Sequence, residues 1–234
     1  MMFAALPLFA QSTDISFDPT ITSAEFRKFA HLVGQGLYPT PVAPAGASGL
    51  LRFEIGGAAT LVDVDENADY WQRATGSDFT TSGYLAVPRL VVTKGLSKVS
   101  ISGSYAKVQD SDIAMYGGTI DIPIIDGGLI KPTLALRGGY SQLSGVDNFD
   151  LKTYGVELFL GKGFGPLTPY GAIGRQRVDA RGTLNGPIPL VLTDKSDINR
   201  YTVGLRVNLF LPKITVEATQ AEERSYAAKV SFGF

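Results

Sequence analysis

The sequence predicts an all-β fold, a ten-stranded antiparallel up-and-down transmembrane β-barrel with a short N-terminal α-helix. Three observations carry this. From Gly49 onward, apolar and polar residues alternate with a period of two through ten successive runs, as in strands whose two faces meet different surroundings. The connections between runs alternate between long and short. Tyrosines gather at one end of the apolar face.

The helix comes first. Thr22 opens TSAE, with Glu25 three residues on, a capping-box pattern. Phe26, Phe29, Ala30 and Val33 recur at helical spacing. Gly34 and Gly36 offer stops and YPTPVAP (38–44) cannot continue a helix, so the helix is expected over about 22–34. Ahead of it, residues 1–20 read as the remnant of a signal peptide and a flexible N-terminus. Met2–Ala10 is a short apolar run and Ala10-Gln11 a small-residue boundary, although a basic n-region is missing. Residues 21–47 form the helix and a Pro-rich connector, and residues 48–234 the barrel.

The ten runs follow in order. Leu51, Phe53, Ile55, Ala59 and Leu61 oppose Arg52, Glu54 and Thr60. Near 84–94, Tyr84, Ala86, Leu90 and Val92 oppose Arg89 and Thr93. Over 98–107, Val99, Ile101 and Tyr105 oppose Lys98 and three serines. Over 113–124, Tyr116, Ile120, Ile122 and Ile124 oppose Thr119 and Asp121. Over 129–142, Ile130, Leu134, Leu136 and Tyr140 oppose Lys131, Thr133, Arg137 and Ser141. Over 151–162, Tyr154, Val156, Leu158 and Leu160 oppose Thr153 and Glu157. The seventh run, 168–181, is weaker: Tyr170, Ala172 and Val178 oppose Arg175, Arg177 and Asp179. The eighth, 199–211, is the cleanest, with Tyr201, Val203, Leu205, Val207, Leu209 and Leu211 against Arg200, Thr202, Arg206 and Asn208. Ile214, Val216 and Ala218 then oppose Lys213, Thr215 and Glu217, and Tyr226, Ala228, Val230, Phe232 and Phe234 oppose Lys229 and Ser231.

Among the connections, the first (66–83) and the seventh (182–197) are much longer than a turn needs, whereas every even-numbered one is short. Odd and even connections lie at opposite ends of an up-and-down barrel, and membrane barrels carry long outer loops and short turns on the other side. Tyr84, Tyr105, Tyr116, Tyr140, Tyr154, Tyr201 and Tyr226 all fall on the apolar face near the odd connections. A phenol ring among acyl chains with its hydroxyl at the headgroups explains such a belt. Phe53, Tyr170, Phe232 and Phe234 make a thinner belt at the other rim. A lipocalin-like soluble barrel would turn the same apolar face inward. The tyrosine heights and the loop asymmetry argue against it.

Composition excludes several classes. A net charge of −1 gives no global field for nucleic acid. The absence of cysteine removes disulfides, thiol catalysis and thiolate metal sites. No run reaches the ~18 consecutive apolar residues of a membrane helix; strands of a closed barrel need none.

An alternating last strand closing on aromatic-X-aromatic, Phe232-Gly233-Phe234, resembles the C-terminal signal of bacterial outer-membrane β-barrels. The resemblance spans 48–234 and reaches the general class. It implies a bacterial outer-membrane location in contact with outer-membrane lipid, odd connections outside the cell, and both termini periplasmic. It also implies an insertion signal at Tyr226, Phe232 and Phe234 that the barrel-insertion machinery reads. The helix is then expected at the periplasmic mouth.

With lipid outside, the polar set faces the lumen. Its bases are Arg52, Arg89, Lys98, Lys131, Arg137, Arg175, Arg177, Arg200, Arg206, Lys213 and Lys229; its acids are Glu54, Asp121, Glu157, Asp179 and Glu217. This excess makes the lumen net basic. Gly56, Gly117, Gly139, Gly155, Gly171 and Gly204 on that face leave space. Two functions fit. One is a narrow channel or small-solute transporter that prefers anions. The other is a non-catalytic structural or binding barrel whose extracellular loops engage a protein partner. The loop candidates are Tyr70 with Trp71, and the apolar patch Ile188–Leu192; alternatively the loops pack on each other and cap the barrel. No enzyme is expected. The ten-stranded omptin-like proteases resemble this layout but need acids and a histidine at the outer rim. The one histidine, His31, lies on the N-terminal helix with no rim serine near it for a Ser–His pair, and with no second ligand for a metal. No cofactor is expected.

Overall fold

The computed structural model describes residues 15, 17–46, 51–75, 82–108, 112–128, 131–184 and 190–233. Ten strands close a barrel in which every neighbour is antiparallel and β1 pairs with both β2 and β10. The strands are β1 Phe53–Asp63, β2 Tyr84–Leu96, β3 Val99–Lys107, β4 Ala114–Ile125, β5 Thr133–Ser144, β6 Phe149–Gly161, β7 Leu167–Leu184, β8 Leu190–Asn208, β9 Pro212–Gln220 and β10 Arg224–Gly233. Among the described residues two helices accompany them, α1 Ser23–Leu37 and α2 Asp69–Thr75, the second inside the β1–β2 connection. Closure gives every strand a partner on both sides, the requirement that lipid imposes on a sheet.

The outer face is apolar along the wall. Alternate residues such as Ile101, Val203 and Val230 are 43%, 65% and 49% exposed. All seven belt tyrosines lie on this face, and the rings of Tyr105 and Tyr116 and of Tyr140 and Tyr154 meet across neighbouring strands at 5.3 and 5.2 Å. The inner face holds Glu54, Arg137, Glu157, Arg200 and Lys229, all buried. A charged interior and an apolar exterior suit lipid, not water.

β7 departs from the expected facing. Tyr170, Ala172, Gln176, Val178, Ala180 and Leu184 point inward and are buried, whereas Arg175 and Arg177 point outward. Tyr170 therefore leaves the lower belt, Gly171 faces outward, and Phe234 lies outside the described residues. The reason is vertical. Beyond the Ile173–Tyr201 pair, β8 continues past β9 while β7 stays paired with β6 up to Gly182, and β7 and β8 run on together as one long hairpin. There the outward positions Arg175, Arg177, Asp179 and Lys195 meet water, while the inward positions of β7 from Val178 on face a helix and are apolar. Residues 182–184 and 190–197, expected as loop, are strand for the same reason.

The helix position is a second correction. α1 sits in the mouth at the long-connection end, not in the short-turn mouth. Phe26, Phe29 and Leu32 pack with Val62, Trp71, Phe149, Leu151, Val178 and Leu184, all at that end of the wall. Phe17 lies there too, against Phe26, Phe29 and Phe149, while Gly233 lies at the short-turn end. The described chain therefore begins and finishes at opposite ends of the barrel. The capping box forms as read: Thr22 N–H donates to Glu25 Oε2 at 2.7 Å, and Glu25 N–H donates to Thr22 Oγ1 at 3.3 Å. Gly34 and Gly36 do not stop the helix. They let it press on the wall, where a Cβ would crowd Val178 and Val87.

Candidate functional site

From the helix C-terminus the chain runs down the lumen to the short-turn end before β1 begins. This strap, residues 38–46 (YPTPVAPAG), is uncharged. Its prolines lack N–H groups and favour extended backbone, and although Thr40 N–H donates to Tyr38 O at 2.8 Å, the strap offers its carbonyls as acceptors to a wall rich in donors. Arg89 donates to Tyr38 O at 2.7 Å, to Gly36 O at 2.8 Å and to Thr60 Oγ1 at 2.8 Å. Arg137 donates to Ala43 O at 3.1 Å, Ser141 to Leu37 O at 2.8 Å and Gln176 to Gly34 O at 2.7 Å. These bonds also satisfy the helix C-terminal carbonyls that α1 leaves unpaired.

The inward glycines make room for the strap rather than for solvent. A Cβ at Gly155 would collide with the ring of Tyr38, and one at Gly117 or Gly139 would press on Pro39. Gly204 leaves room for the inward ring of Tyr170. Val42 adopts φ 47°, costly for a β-branched residue. Its side chain is fully buried against Ala58, Val91 and Ala227, which holds it there.

Around the strap the polar groups gather on four carboxylates. Asp121 binds Arg137 in bidentate fashion at 2.6 and 2.9 Å, with the guanidinium 4.2 Å over the Phe159 ring. Glu157 accepts from Tyr38 Oη at 3.1 Å and Arg200 Nε at 3.5 Å, and Arg200 lies 4.0 Å over the Tyr38 ring. Glu54 takes Lys229 at 2.8 Å, Arg206 at 3.0 Å, and Lys213 and Arg52 at 3.4 Å each. Glu217 accepts from Tyr170 Oη at 2.6 Å and Thr40 Oγ1 at 3.1 Å. Arg52, Glu54, Arg89, Asp121, Arg137, Glu157, Arg200, Arg206, Glu217 and Lys229 thus come together inside. Lys98 and Lys131 are exposed beside the short turns. Arg175 and Arg177 lie outside the wall on Asp197, at 3.5 and 2.8 Å, and Asp179 pairs with Lys195 at 3.0 Å.

At the long-connection mouth a latch ties α1 to the wall. His31 is 6% exposed. Its Nδ1 meets Glu222 in the β9–β10 connection; its Nε2 meets Ser196 and, at 3.0 Å, Asp194 of β8. Arg27 reaches Asp194 at 3.7 Å and Lys28 reaches Glu223 at 3.5 Å. Gln35 donates to Glu223 O at 2.7 Å. Burial disfavours the charged ring, but the carboxylates of Glu222 and Asp194 outweigh it and raise the His31 pKa above its ordinary value. The reading that no rim serine lies near His31 is overturned, because the helix stands at the other end from the one expected. Tyr70 and Trp71 are 5% and 2% exposed, and the Trp71 ring packs on Phe29 at 5.8 Å, so they belong to the cap. Leu190 and Val191 are exposed on the hairpin; residues 188 and 189 lie outside the described residues.

The strap and the β7 facing were missed. An uncharged, proline-rich segment of small residues opposite a face with surplus arginine was the available signal for the first. For the second it was the inward series Tyr170, Ala172, Gly174, Gln176, Val178, Ala180, Gly182, Leu184.

A closed up-and-down barrel of ten strands, apolar outside and ionic inside with an aromatic belt, is a transmembrane β-barrel of the bacterial outer-membrane type. Among solved structures the chain is similar to the outer membrane protease OmpT from Escherichia coli, at 9% identity and TM-score 0.43 over 78% of this chain and 97% of that one. It is similar to the N-terminal β-barrel domain of Pseudomonas aeruginosa OprF, at 12% identity and TM-score 0.34 over 80% and 100%. It is also similar to Ail, the attachment invasion locus protein of Yersinia pestis, at 12% identity and TM-score 0.35 over 78% and 97%. No protein-family model and no curated protein matches the chain.

Proposed function

We propose that the protein is a closed, non-catalytic barrel of the bacterial outer membrane that holds its helical cap and the β7–β8 hairpin outside the cell for a protein partner. The observation that carries this reading is the strap, which takes up the lumen and shares hydrogen bonds with Arg89, Arg137 and Ser141. In this reading the short turns are periplasmic, and the barrel-insertion machinery reads Tyr226, Phe232 and Phe234. The channel or transporter reading keeps one support. Among the described residues around the strap, below the His31 latch, the seven inward bases Arg52, Arg89, Arg137, Arg200, Arg206, Lys213 and Lys229 face four acids, Glu54, Asp121, Glu157 and Glu217. A lumen freed of its strap would therefore favour anions.

Recording in planar bilayers separates the two. The full chain is expected to be silent, and a chain lacking residues 17–46 to show anion-selective steps that Arg137→Glu or Arg206→Glu reduces. Steady conductance by the full chain would reject the closed reading. The non-catalytic part rests on Asp194, which sits against both Ser196 and His31 Nε2. Ser196 Oγ donates to Asp194 Oδ2, and both ring nitrogens of His31 lie against carboxylates, so no free imidazole nitrogen is presented to the serine hydroxyl. An ester- or amide-cleaving activity that disappears in His31→Ala would sink it.

A further inference from the structure

We infer that the outer wall carries a binding groove for one acyl chain of an anionic phospholipid, with the lipid's phosphate at Arg224. The groove has a volume of about 790 Å³ and crosses β5 to β10 on the lipid-facing side. Its floor follows one register row, Leu134–Leu160–Gly171–Val203–Ala218–Tyr226, all outward positions. Gly171 and Ala218 interrupt the large side chains of that row, and this sinks the floor between Leu160 and Tyr226.

The row is oblique to the membrane. Leu134 and Leu160 stand one residue from the short-turn ends of their strands, while Ala218 and Tyr226 stand two residues from the long-connection ends of theirs. Five strand gaps of about 4.8 Å make a path of roughly 24 Å. Strand tilts of about 35–45° drop that path by roughly 15 Å, about half the hydrocarbon thickness. One extended chain from one leaflet fits that length and depth, whereas a helix or a second protein wall would need a broader trough.

Charge fixes the polarity of the occupant. Arg224 is the one charged side chain among the described residues lining the groove. It stands at the first position of β10, next to Gln220 across the strand pair and above Tyr226. A cation and an amide at the headgroup level above an apolar trough match a phosphate above an acyl chain. Lys131 and Lys162 stand beyond the short-turn end, but neither is among the described residues that line the groove.

The test is native mass spectrometry of the purified full chain, delipidated by detergent exchange and titrated separately with phosphatidylglycerol and phosphatidylcholine. The wild type is expected to hold one phosphatidylglycerol, about fivefold tighter than phosphatidylcholine. Gly171→Leu is expected to weaken both by about tenfold, and Arg224→Gln to erase the preference while leaving retention. A Cβ at Gly171 would lie in ordinary contact with Thr202 O, and one at Gly57, an outward glycine on β1, would meet open space. Gly57→Leu is therefore the matched control and should bind as the wild type does. If Gly171→Leu fails to give a compact unboiled band, Ala218→Leu replaces it. Absence of a one-to-one lipid, equal binding of the two lipids by the wild type, or equal loss in Gly57→Leu and Gly171→Leu would each overturn the assignment.

Discussion

The two ends of the lumen are filled by opposite chemistry. Toward the short turns the wall presents Glu54, Asp121, Arg137, Arg206 and Lys229, and the filler is an extended strap whose carbonyls join the ionic groups. Toward the long connections the wall presents Val62, Leu151, Val178, Ala180 and Leu184, and the filler is the apolar face of a helix. The strand is the same object at both heights. What changes is the outside. Within the lipid, an apolar exterior leaves the inward positions as the place for charge. Above it, water takes the charge on the outward positions, Arg177, Asp179, Lys195 and Asp197, and the inward positions revert to a protein core. Polarity inverts along one β-hairpin with no break in the ladder.

The largest expected effect lies at the ionic end. Among the described residues Glu54 is the one carboxylate shared by four bases, and Lys229 is fully buried beside it. Glu54→Gln keeps the shape and removes the charge, leaving Lys229 and Arg206 uncompensated. The expected loss is about 3–5 kcal/mol of unfolding free energy, read as a lower urea midpoint in micelles. An unchanged midpoint would mean that this end is not held ionically, and the contrast between the two ends would fail.

The second effect tests the other filler. Phe29 is 1% exposed and contacts Phe17, Trp71 and Phe149 rings at 5.8, 5.8 and 5.5 Å. Phe29→Ala should cost about 3 kcal/mol of local cap stability. It should speed proteolysis within residues 17–37 while the barrel still migrates as a compact unboiled band. Loss of that band together with the cap would show that the two ends fold as one unit.

The barrel was legible because its signals are local and repeated. Alternation through Phe53–Asp63 or 199–208 needs only a wall with two faces, and the tyrosine belt needs only a fixed height. The capping box at Thr22 and Glu25 is likewise contained within four residues. The strap and the latch are not local. Tyr38 meets Glu157 and Arg200, and His31 meets Asp194 and Glu222. Those encounters depend on which mouth the helix enters, which no pattern within residues 22–46 encodes. β7 misled for a related reason. Its alternation was seen correctly, but assigning the charged set to the lumen presumed that the whole strand lies in lipid. Arg175 and Arg177 stand beyond the Ile173–Tyr201 pair, where the rule reverses.

The smallest effect sharpens the comparison at the seam between helix and wall. His31 faces Glu222 of the β9–β10 connection and Asp194 and Ser196 of β8, with Arg27 of its own helix on Asp194 and Lys28 on Glu223 nearby. Desolvation lowers its pKa and the carboxylates raise it by more, so the folded protein binds the proton more tightly than the unfolded chain does. A group of this kind stabilises fully below its unfolded pKa of about 6.5 and loses that contribution as pH rises through the raised folded value. Hydrogen exchange of Phe29–Leu32 amides should therefore accelerate, beyond the intrinsic base dependence, as pH climbs past the ordinary histidine range. His31→Gln should remove this extra dependence by behaving at every pH as the deprotonated wild type does, while the exchange of buried barrel amides such as Thr153 and Thr215 stays as it was. If the variant keeps the pH dependence, another group fastens the helix. If the barrel amides move with it, the cap is not a separable element and the two fillings belong to one cooperative core.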